Sequence, residues 1–303
     1  MAQAVARRLV RSFSSQRVQE EIHSYLFIAP WLVGLVLFTL GPILAAFGLS
    51  FTRYDMARAP VFLGAANYAR AFDDRAFQAA LSNTAAYVLM YVPLELSLSL
   101  TIALAMNRPL RGITVFRTSF FIPVVTSGVA TALLWGYILN QYGVLNYLLG
   151  LVGLGPVRWL GLDWALRSIV IMSLWGAVGY TMMYWLAGLQ GVPQELYEAA
   201  EIDGGGRWAR FRHVTLPMLT PMIFFLVIVS VIGSFQVFTP TYVLTQGGPA
   251  NATLTIALAI YQKAFMEYAM GYACALAWLL FVVVFALTMV QWRVRRLWVF
   301  GED

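Results

Sequence analysis

Polar side chains recur at near-helical spacing inside two long apolar stretches, and their chemistry is hydrogen bonding to a ligand rather than bond cleavage. Because buried polar groups are costly in apolar surroundings, we expect these residues to line a cavity. Hydroxyl groups beside an aromatic face suit a sugar ring. The alternative is that serine and glycine pack helices closely against each other. The candidate ligand contacts are Ser173, Gly176, Tyr180, Ser230, Ser234, Gln236 and Thr239.

Glu95 lies inside another apolar stretch, where a carboxylic acid is rare unless it pairs or serves a pathway. Two interpretations stay open. In the first, Glu95 is a cavity acid that affects substrate binding or gating. In the second, which the lack of an identifiable basic partner favours, it is a protonated or hydrogen-bonded contact between two helices.

The elements that hold these residues are predicted to be membrane-spanning helices. Of 303 residues, 60% are hydrophobic and 11% charged, and the mean hydropathy is +0.73, which is too apolar for a soluble fold of this size. Six runs are long enough to cross roughly 30 Å of hydrocarbon. Within the fifth run, Pro240 frees a backbone carbonyl about one turn earlier, so we expect a break in that helix. The runs are Tyr25–Phe51, Asn83–Met106, Val115–Leu139, Leu166–Leu189, Pro221–Leu244 and Tyr268–Trp292.

The basic residues predict the orientation of these spans. An even number of spans puts both termini on one side, and the side richer in Lys and Arg is the cytoplasm. With the termini inside, thirteen of the twenty basic residues are cytoplasmic and seven are external. No dense basic run indicates a nucleic-acid partner. The inside set is Arg7, Arg8, Arg11, Arg17, Arg108, Arg111, Arg117, Arg207, Arg210, Arg212, Arg293, Arg295 and Arg296, and the outside set is Arg53, Arg58, Arg70, Arg75, Arg158, Arg167 and Lys263.

A polar, helix-prone segment, Glu198–Pro217, separates the fourth and fifth runs. Pro193 suits the first turn of a helix, and the acidic residues that follow lie where the helix dipole favours negative charge. The glycines at 204–206 cannot sustain that helix, so we predict a second short helix from Arg207 to His213. Such a helix-turn-helix would offer a docking surface on the cytoplasmic side. The alternative is an ordinary solvated loop.

The sequence lacks the groups that nucleotide hydrolysis or metal catalysis would need. It has no G-x-x-x-x-G-K-[ST] phosphate loop, and its one lysine, Lys263, falls in a predicted external loop. His23 and His213 are far apart in the predicted topology, and no His or carboxylate cluster has the spacing of metal ligands. The single cysteine, Cys274, is predicted to fill the core of the last span. Any energy source is therefore expected on another chain.

The segment Glu198–Pro217, EAAEIDGGGRWARFRHVTLP, resembles the cytoplasmic coupling loop of binding-protein-dependent ABC importer permeases. Val214 stands where Ile is usual, which is a volume-conservative departure. The similarity covers almost the whole chain and narrows to carbohydrate-uptake permeases of the maltose and glycerol-phosphate type. Further segments that carry it include Asn107–Gly112, Tyr242–Thr245 and Gly247–Pro249.

The resemblance implies an all-α integral membrane protein with six transmembrane helices, the type I ABC importer permease fold and a cytoplasmic coupling helix. It implies a cytoplasmic N-terminal segment 1–22, a transmembrane permease domain 23–293 with the coupling loop 193–217, and a cytoplasmic tail 294–303. The protein would be a multi-pass component of a bacterial or archaeal cytoplasmic (inner) membrane, with both termini in the cytoplasm. The positions that match sugar contacts in the maltose-type permeases are Ser173, Gly176, Tyr180, Ser230, Ser234 and Thr239.

The resemblance also implies partners. They are a second homologous permease subunit, two cytoplasmic ATPase subunits, an extracytoplasmic solute-binding protein and membrane lipid. ATP and magnesium would bind the ATPase subunits, so this chain would carry no cofactor and no metal. Alternating access would follow as ATP closes the ATPase pair and draws the coupling helices together. The residues expected in this coupling contact are Glu198, Ala199, Ala200, Asp203, Gly204 and Arg212.

The predicted function is therefore transport without enzymatic activity: half of the translocation pathway of an ATP-driven importer for a neutral di- or oligosaccharide. The candidate lining offers hydroxyl, amide and aromatic groups but no cation, whereas an anionic phosphate normally recruits Arg or a helix N-terminus. An importer of glycerol-3-phosphate or a related polyol phosphate is the first alternative. An ion-coupled secondary transporter is the second, although such proteins usually have intramembrane charges for coupling and an internal repeat.

Overall fold

The computed structural model describes the backbone of residues 2–108 and 111–300, with side chains from residue 18 onward. Pro109, Leu110 and residues 301–303 lie outside the described residues, as do the side chains of Arg7, Arg8, Arg11 and Arg17.

Helices make up most of the described chain. A short hairpin pairs strands β1 and β2 antiparallel, with Thr52 opposite Phe62. π-helical turns at Val36–Leu40, Phe211–Thr215 and Gln262–Met266 join or extend α-helices, and a 3-10 turn covers Arg295–Leu297. The elements are α1 (Ala2–Leu35), α2 (Gly41–Ser50), β1 (Thr52–Arg53), β2 (Val61–Phe62), α3 (Ala66–Asp73), α4 (Arg75–Met106), α5 (Ile113–Val125), α6 (Gly128–Ile138), α7 (Val144–Leu151), α8 (Ala165–Gln190), α9 (Gln194–Ile202), α10 (Arg207–Arg210), α11 (Leu216–Met218), α12 (Thr220–Phe235), α13 (Thr239–Leu244), α14 (Ile256–Tyr261) and α15 (Met270–Val294).

Five helical segments in the described residues are long and apolar enough to cross a bilayer, or six if a bent pair counts as one crossing. The bent pair is α5 with α6. This count agrees with the prediction of an all-α, multi-pass membrane protein. The five segments are Val18–Ser50, Arg75–Met106, Ala165–Gln190, Thr220–Leu244 and Met270–Leu297.

The expectation of one continuous helix over Val115–Leu139 is wrong, because α5 and α6 meet at a bend of 99°. Pro123, in the last turn of α5, has no amide hydrogen to donate to the preceding turn. Thr126 then takes an extended conformation, with φ −82° and ψ 140°, and α6 begins at Gly128. The sequence run is as long as predicted, but its path changes direction.

The expected break before Pro240 is confirmed, since α12 ends at Phe235 and α13 begins at Thr239. Pro240 lies in the first turn of α13, where a missing amide hydrogen costs little. Carbonyls at the break find partners outside the helix: the Thr255 hydroxyl donates to the Val237 carbonyl oxygen at 2.9 Å. A carbonyl group freed by the break is therefore satisfied by a side chain from a later part of the chain.

Helices α4 and α8 pack along each other at the centre of the described bundle. Trp185 on α8 is 1% exposed, and its Nε1 donates a 2.9 Å hydrogen bond to Ser99 Oγ on α4. On the other side of α8, a Cβ at Gly179 would collide with the Phe120 carbonyl oxygen of α5. Glycine at this position therefore lets the two backbones approach closely.

Candidate functional site

A cavity of about 440 Å³ lies between α4, α8 and the broken pair α12 and α13. This volume falls within the roughly 300–1,000 Å³ of small-molecule sites. Hydroxyl, amide and carboxyl groups share the wall with several aromatic rings, and no Lys or Arg is among the described residues that line it. The cavity is therefore suited to an uncharged polar ligand with apolar ring faces.

Helix α8 presents one stripe to this cavity. Ser173, Ala177, Tyr180, Thr181 and Tyr184 recur at the spacing that places residues on one helical face. The Tyr180 and Tyr184 hydroxyl oxygens are 2.7 Å apart, and the two rings meet edge to face with centroids separated by 5.0 Å. Together they offer aromatic surface and hydroxyl groups at adjacent points of the wall.

Helix α4 faces the same space with Tyr87, Tyr91 and Glu95, each one turn after the last. The Tyr87 and Tyr91 rings stack with centroids 5.2 Å apart. Glu95 is 5% exposed, and its Oε1 accepts a 2.6 Å hydrogen bond from the Thr181 hydroxyl on α8. Glu95 is thus a hydrogen-bonded helix contact and also part of the cavity wall, so the two interpretations of this acid are compatible.

The third wall comes from the break between α12 and α13. Ser230 and Ser234 lie one turn apart on α12, and the Ser234 hydroxyl donates to the Ser230 carbonyl oxygen. Gln236 and Thr239 lie on the turn and at the start of α13. Because the helix stops at Phe235, the chain can place an amide and a hydroxyl at the cavity instead of carrying them around the helix.

The cavity brings together six of the seven predicted ligand contacts, all except Gly176. A Cβ built on Gly176 would meet no atom within 4 Å, and this glycine is absent from the described lining. Trp175, at the neighbouring position, faces a separate apolar cavity of about 290 Å³ between α4, α5 and α8. The near-helical spacing that selected Ser173, Gly176 and Tyr180 therefore included one residue, Gly176, that lies off the polar stripe.

Other lining residues were missed by the sequence analysis: Tyr87, Tyr91, Thr181, Tyr184 and Phe238. A signal for most of them exists. Polar and tyrosine side chains on α4 and α8 recur every three or four residues, which marks one face of an otherwise apolar helix. Phe238 gives no such signal, since it lies at the break between two helices.

The segment 193–217, called the knob below, has the predicted helix-turn-helix form. Helix α9 begins at Gln194 directly after Pro193, and α10 begins at Arg207. Between them Gly204 has φ +77°, a conformation that side chains other than glycine rarely adopt, and Gly205 N–H donates to the Ala200 carbonyl oxygen at 2.8 Å. One detail differs: the second helix is α-helical only to Arg210 and continues as a π-helical turn.

The knob exposes both apolar and charged side chains. Ile202 is 86% exposed and Trp208 is 70% exposed. Large apolar side chains presented in this way are typical of a protein contact surface. Of the six predicted coupling residues, Ala200 is half-buried under the glycine turn and the others are exposed; those others are Glu198, Ala199, Asp203, Gly204 and Arg212.

Residues 81–297, well over half of the chain, match the family described as "Binding-protein-dependent transport system inner membrane component". The chain belongs to this family. It is accordingly a permease subunit of an ABC transporter, which is a transport component and not an enzyme, and it is a multi-pass protein of the inner membrane. The family's description names a binding protein on which transport depends.

Several similar proteins are permeases of the same kind. The probable ABC transporter permease protein YesP of Bacillus subtilis is 38% identical over 94% of each chain. The lactose transport system permease protein LacF of Rhizobium radiobacter is 36% identical over 94% of this chain and 98% of its own length. The trehalose/maltose transport system permease protein MalF of Thermococcus litoralis is 35% identical over 93% of this chain and 97% of its own.

The fold is also found in a solved structure. A chain from the crystal structure of a bacterial ABC transporter involved in the import of the acidic polysaccharide alginate aligns with a TM-score of 0.82, covering 93% of this chain and 97% of that one. The two sequences are only 21% identical, so this similarity is evidence for the fold alone. It confirms the predicted type I ABC importer permease fold.

Proposed function

We propose that this permease forms half of the translocation pathway for a neutral di- or oligosaccharide in an ATP-driven importer. The observation that carries the proposal is the cavity between α4, α8, α12 and α13. Its hydroxyl groups can donate and accept hydrogen bonds, and its tyrosines can lie against the apolar faces of sugar rings. Similar permeases are named for lactose, for trehalose and maltose, and for arabinooligosaccharides, which supports a sugar as the solute.

A phosphorylated solute fits this cavity less well. No Lys or Arg lines it within the described residues, whereas phosphate recognition normally uses such side chains or a helix N-terminus. The helix that begins at this wall, α13, is only 6 residues long, and Pro240 in its first turn has no amide hydrogen to donate. A buried carboxyl group, Glu95, would also repel a phosphate when ionised. These features favour the neutral sugar over glycerol-3-phosphate or another polyol phosphate.

The knob is proposed to dock on an ATPase subunit and to transmit ATP-driven closure to the spans. The exposed Ile202 and Trp208 would supply buried apolar area in that contact, and the flanking charged side chains would fix its orientation. The proposed assembly contains a second homologous permease, two ATPase subunits that hold ATP and magnesium, and an extracytoplasmic solute-binding protein. Both termini and the knob would lie in the cytoplasm, as the distribution of basic residues indicates.

The test is reconstitution of this permease with its partner permease, the ATPase subunits and the binding protein in liposomes. We expect ATP-dependent uptake of one or more of lactose, maltose, trehalose and arabinobiose, and no uptake of glycerol-3-phosphate. Liposomes that contain this chain alone should transport nothing. Ion-driven transport by the chain alone, or uptake confined to the phosphorylated compound, would contradict the proposal.

A further inference from the structure

The carboxyl group of Glu95 is held by a hydrogen bond from the neighbouring helix α8. Thr181, which is 3% exposed, donates its hydroxyl proton to Glu95 Oε1 at 2.6 Å. One turn further along α4, Ser99 Oγ donates to the Glu95 carbonyl oxygen at 2.6 Å and accepts from Trp185 Nε1 at 2.9 Å. The backbone and one carboxyl oxygen of Glu95 are thus fixed between two helices.

The other carboxyl oxygen of Glu95, Oε2, is not held by a comparable hydrogen bond. Glu95 Oε2 is buried, and no hydrogen bond of standard geometry reaches it from the described residues, although the Tyr91 and Ser230 hydroxyl groups are close enough to interact with the carboxyl group. Tyr91 and Ser230 lie beside the carboxyl group on the cavity wall. A buried polar oxygen without a partner costs roughly 1–3 kcal/mol, so each such atom in a folded protein needs an explanation, and a bound ligand or water is one.

We propose that Glu95 makes the cavity discriminate between neutral and anionic sugars. In this proposal its Oε2 accepts hydrogen bonds from solute hydroxyl groups. This inference rests on the proposed function and adds to it a specific contact. A sugar hydroxyl donates a proton to Oε2 and satisfies the atom that the protein leaves unpaired. Tyr91 and Tyr87, stacked on the same helix, offer ring surface beside that contact.

Charge gives the same site its selectivity. No Lys or Arg lines the cavity in the described residues, so a carboxylate on the solute would lie near the Glu95 carboxyl group with no cation to balance its charge. A uronate sugar is therefore rejected, while a neutral sugar of the same size is accepted. The side chains that face the Glu95 carboxyl are hydroxyl-bearing: Tyr91, Thr181 and Ser230.

Glu95→Gln tests this assignment. Glutamine keeps the size and can still accept from Thr181, but it replaces the acceptor at Oε2 with an NH₂ donor and removes the acidic group. Binding is measured by calorimetry on the detergent-purified complex without its binding protein, with lactose, maltose, trehalose, arabinobiose and digalacturonate as probes. Uptake by the complete reconstituted system gives KM and kcat for the neutral probe that it transports.

For Glu95→Gln we expect affinity for the neutral probe to fall on the order of tenfold to a hundredfold, the loss of one hydrogen bond to a charged acceptor. KM should rise more than kcat falls, and discrimination against digalacturonate should shrink. Ser99→Ala is the matched control, because it removes the hydrogen bonds of the Ser99 hydroxyl group with the Glu95 carbonyl oxygen and the Trp185 indole but leaves the Glu95 carboxyl group in place. It should lower thermal stability and leave the discrimination intact. Glu95→Asp, which keeps the acid but shortens it, should lose affinity and still reject digalacturonate.

Four results would overturn the inference. Unchanged affinity and discrimination in Glu95→Gln would remove the residue from recognition and leave the proposed function standing. Equal losses in Glu95→Gln and Ser99→Ala would make the role structural. If the wild-type complex takes up digalacturonate and none of the neutral probes, the proposed solute class fails together with this inference. If Glu95→Gln does not assemble into the complex, the test rests on Glu95→Asp. Equal binding of digalacturonate and the neutral probe by Glu95→Asp would also contradict the proposal.

Discussion

Arg210 Nη1 lies 3.0 Å from Glu201 Oε2, and this ion pair bridges the two helices of the knob across its glycine turn. The Glu201 side chain is 69% exposed, so the pair itself contributes at most about 1 kcal/mol. The geometry of the turn depends instead on Gly204, whose φ of +77° closes α9 and aims α10. The docking surface is therefore shaped more by one backbone conformation than by its charges.

Replacing Gly204 with leucine should separate ATP hydrolysis from transport. A side chain at positive φ costs roughly 1–2 kcal/mol, which favours a different turn and a displaced α10. In the reconstituted complex we expect sugar uptake to fall at least tenfold, with little effect on the yield of folded permease. Substrate-stimulated ATPase activity and uptake should be measured together.

Gly206→Ala is the control for that experiment, because Gly206 has φ −68° and no atom lies within 4 Å of a Cβ built on it. Uptake by this variant should stay close to wild type. Normal coupling in Gly204→Leu would show that the turn does not transmit ATP-driven closure.

A second prediction concerns the packing of α5 on α8. In Gly179→Ala the new methyl group would collide with the Phe120 carbonyl oxygen, and overpacking of this kind typically costs roughly 1–3 kcal/mol. The midpoint of thermal unfolding in detergent should fall. Gly176→Ala, three residues earlier on the same helix, has open space around its Cβ and should unfold like the wild type. Equal stability of the two variants would contradict the close contact between α5 and α8.

The course of the spans could be predicted from the sequence only in part. Hydrophobic run length predicted the spans, and the missing amide hydrogen of Pro240 predicted the break in the fifth. The same reasoning did not predict the bend at Thr126, because Pro123 lies close enough to the end of α5 to be compatible with either a straight or a bent span. Whether this span is straight or bent depends on how it packs against the other helices, which the sequence alone does not show.

The residues that line the cavity could likewise be predicted only in part. Polar residues inside apolar runs identified six of its members, since burial without function is costly. The recurrence of tyrosine and hydroxyl side chains along α8 marks the face that turns inward, but it was not used to choose the candidates, so Gly176 was included and Tyr184 was left out. The partner of Glu95 was also out of reach, because Thr181 is 86 residues away and no pattern in a single sequence links the two positions.

Asp74, at the N-terminal end of α4, gives a prediction about pH. Burial raises the pKa of its carboxyl group, but hydrogen bonds from the Tyr272 hydroxyl and the Ala76 amide outweigh this and hold the pKa below its ordinary value. Since the folded-state pKa is the lower one, the stabilisation is present above the unfolded-state pKa near 3.8 and is lost as pH falls through the folded value.

Asp74→Ala removes this cap, which typically costs about 0.5–2 kcal/mol. The variant should unfold at a lower temperature than the wild type at pH 7, and the difference should narrow below about pH 4. Thermal unfolding in detergent across this pH range checks the prediction. Asp73→Ala alters the exposed neighbouring acid and should show no comparable difference. A gap for Asp74→Ala that stays constant down to pH 3 would contradict the assignment.

The last prediction separates the ring of Tyr180 from its hydroxyl group. Tyr180 lines the cavity and about half of the residue is exposed. Its ring meets Tyr184 edge to face, whereas its hydroxyl group shares a 2.7 Å hydrogen bond with the Tyr184 hydroxyl. If the ring supports a sugar face, Tyr180→Ala should raise KM for the transported neutral sugar by roughly tenfold, and Tyr180→Phe should raise it only a few-fold, because stacking survives and one hydrogen bond is lost. Met183→Ala is the control on the same helix: Met183 is 44% exposed, does not line the cavity, and should leave KM unchanged. Initial uptake rates against sugar concentration in reconstituted liposomes give the comparison. Equal effects of Tyr180→Phe and Tyr180→Ala would assign recognition to the hydroxyl group alone, and wild-type kinetics in both would place the solute path away from this wall of the cavity.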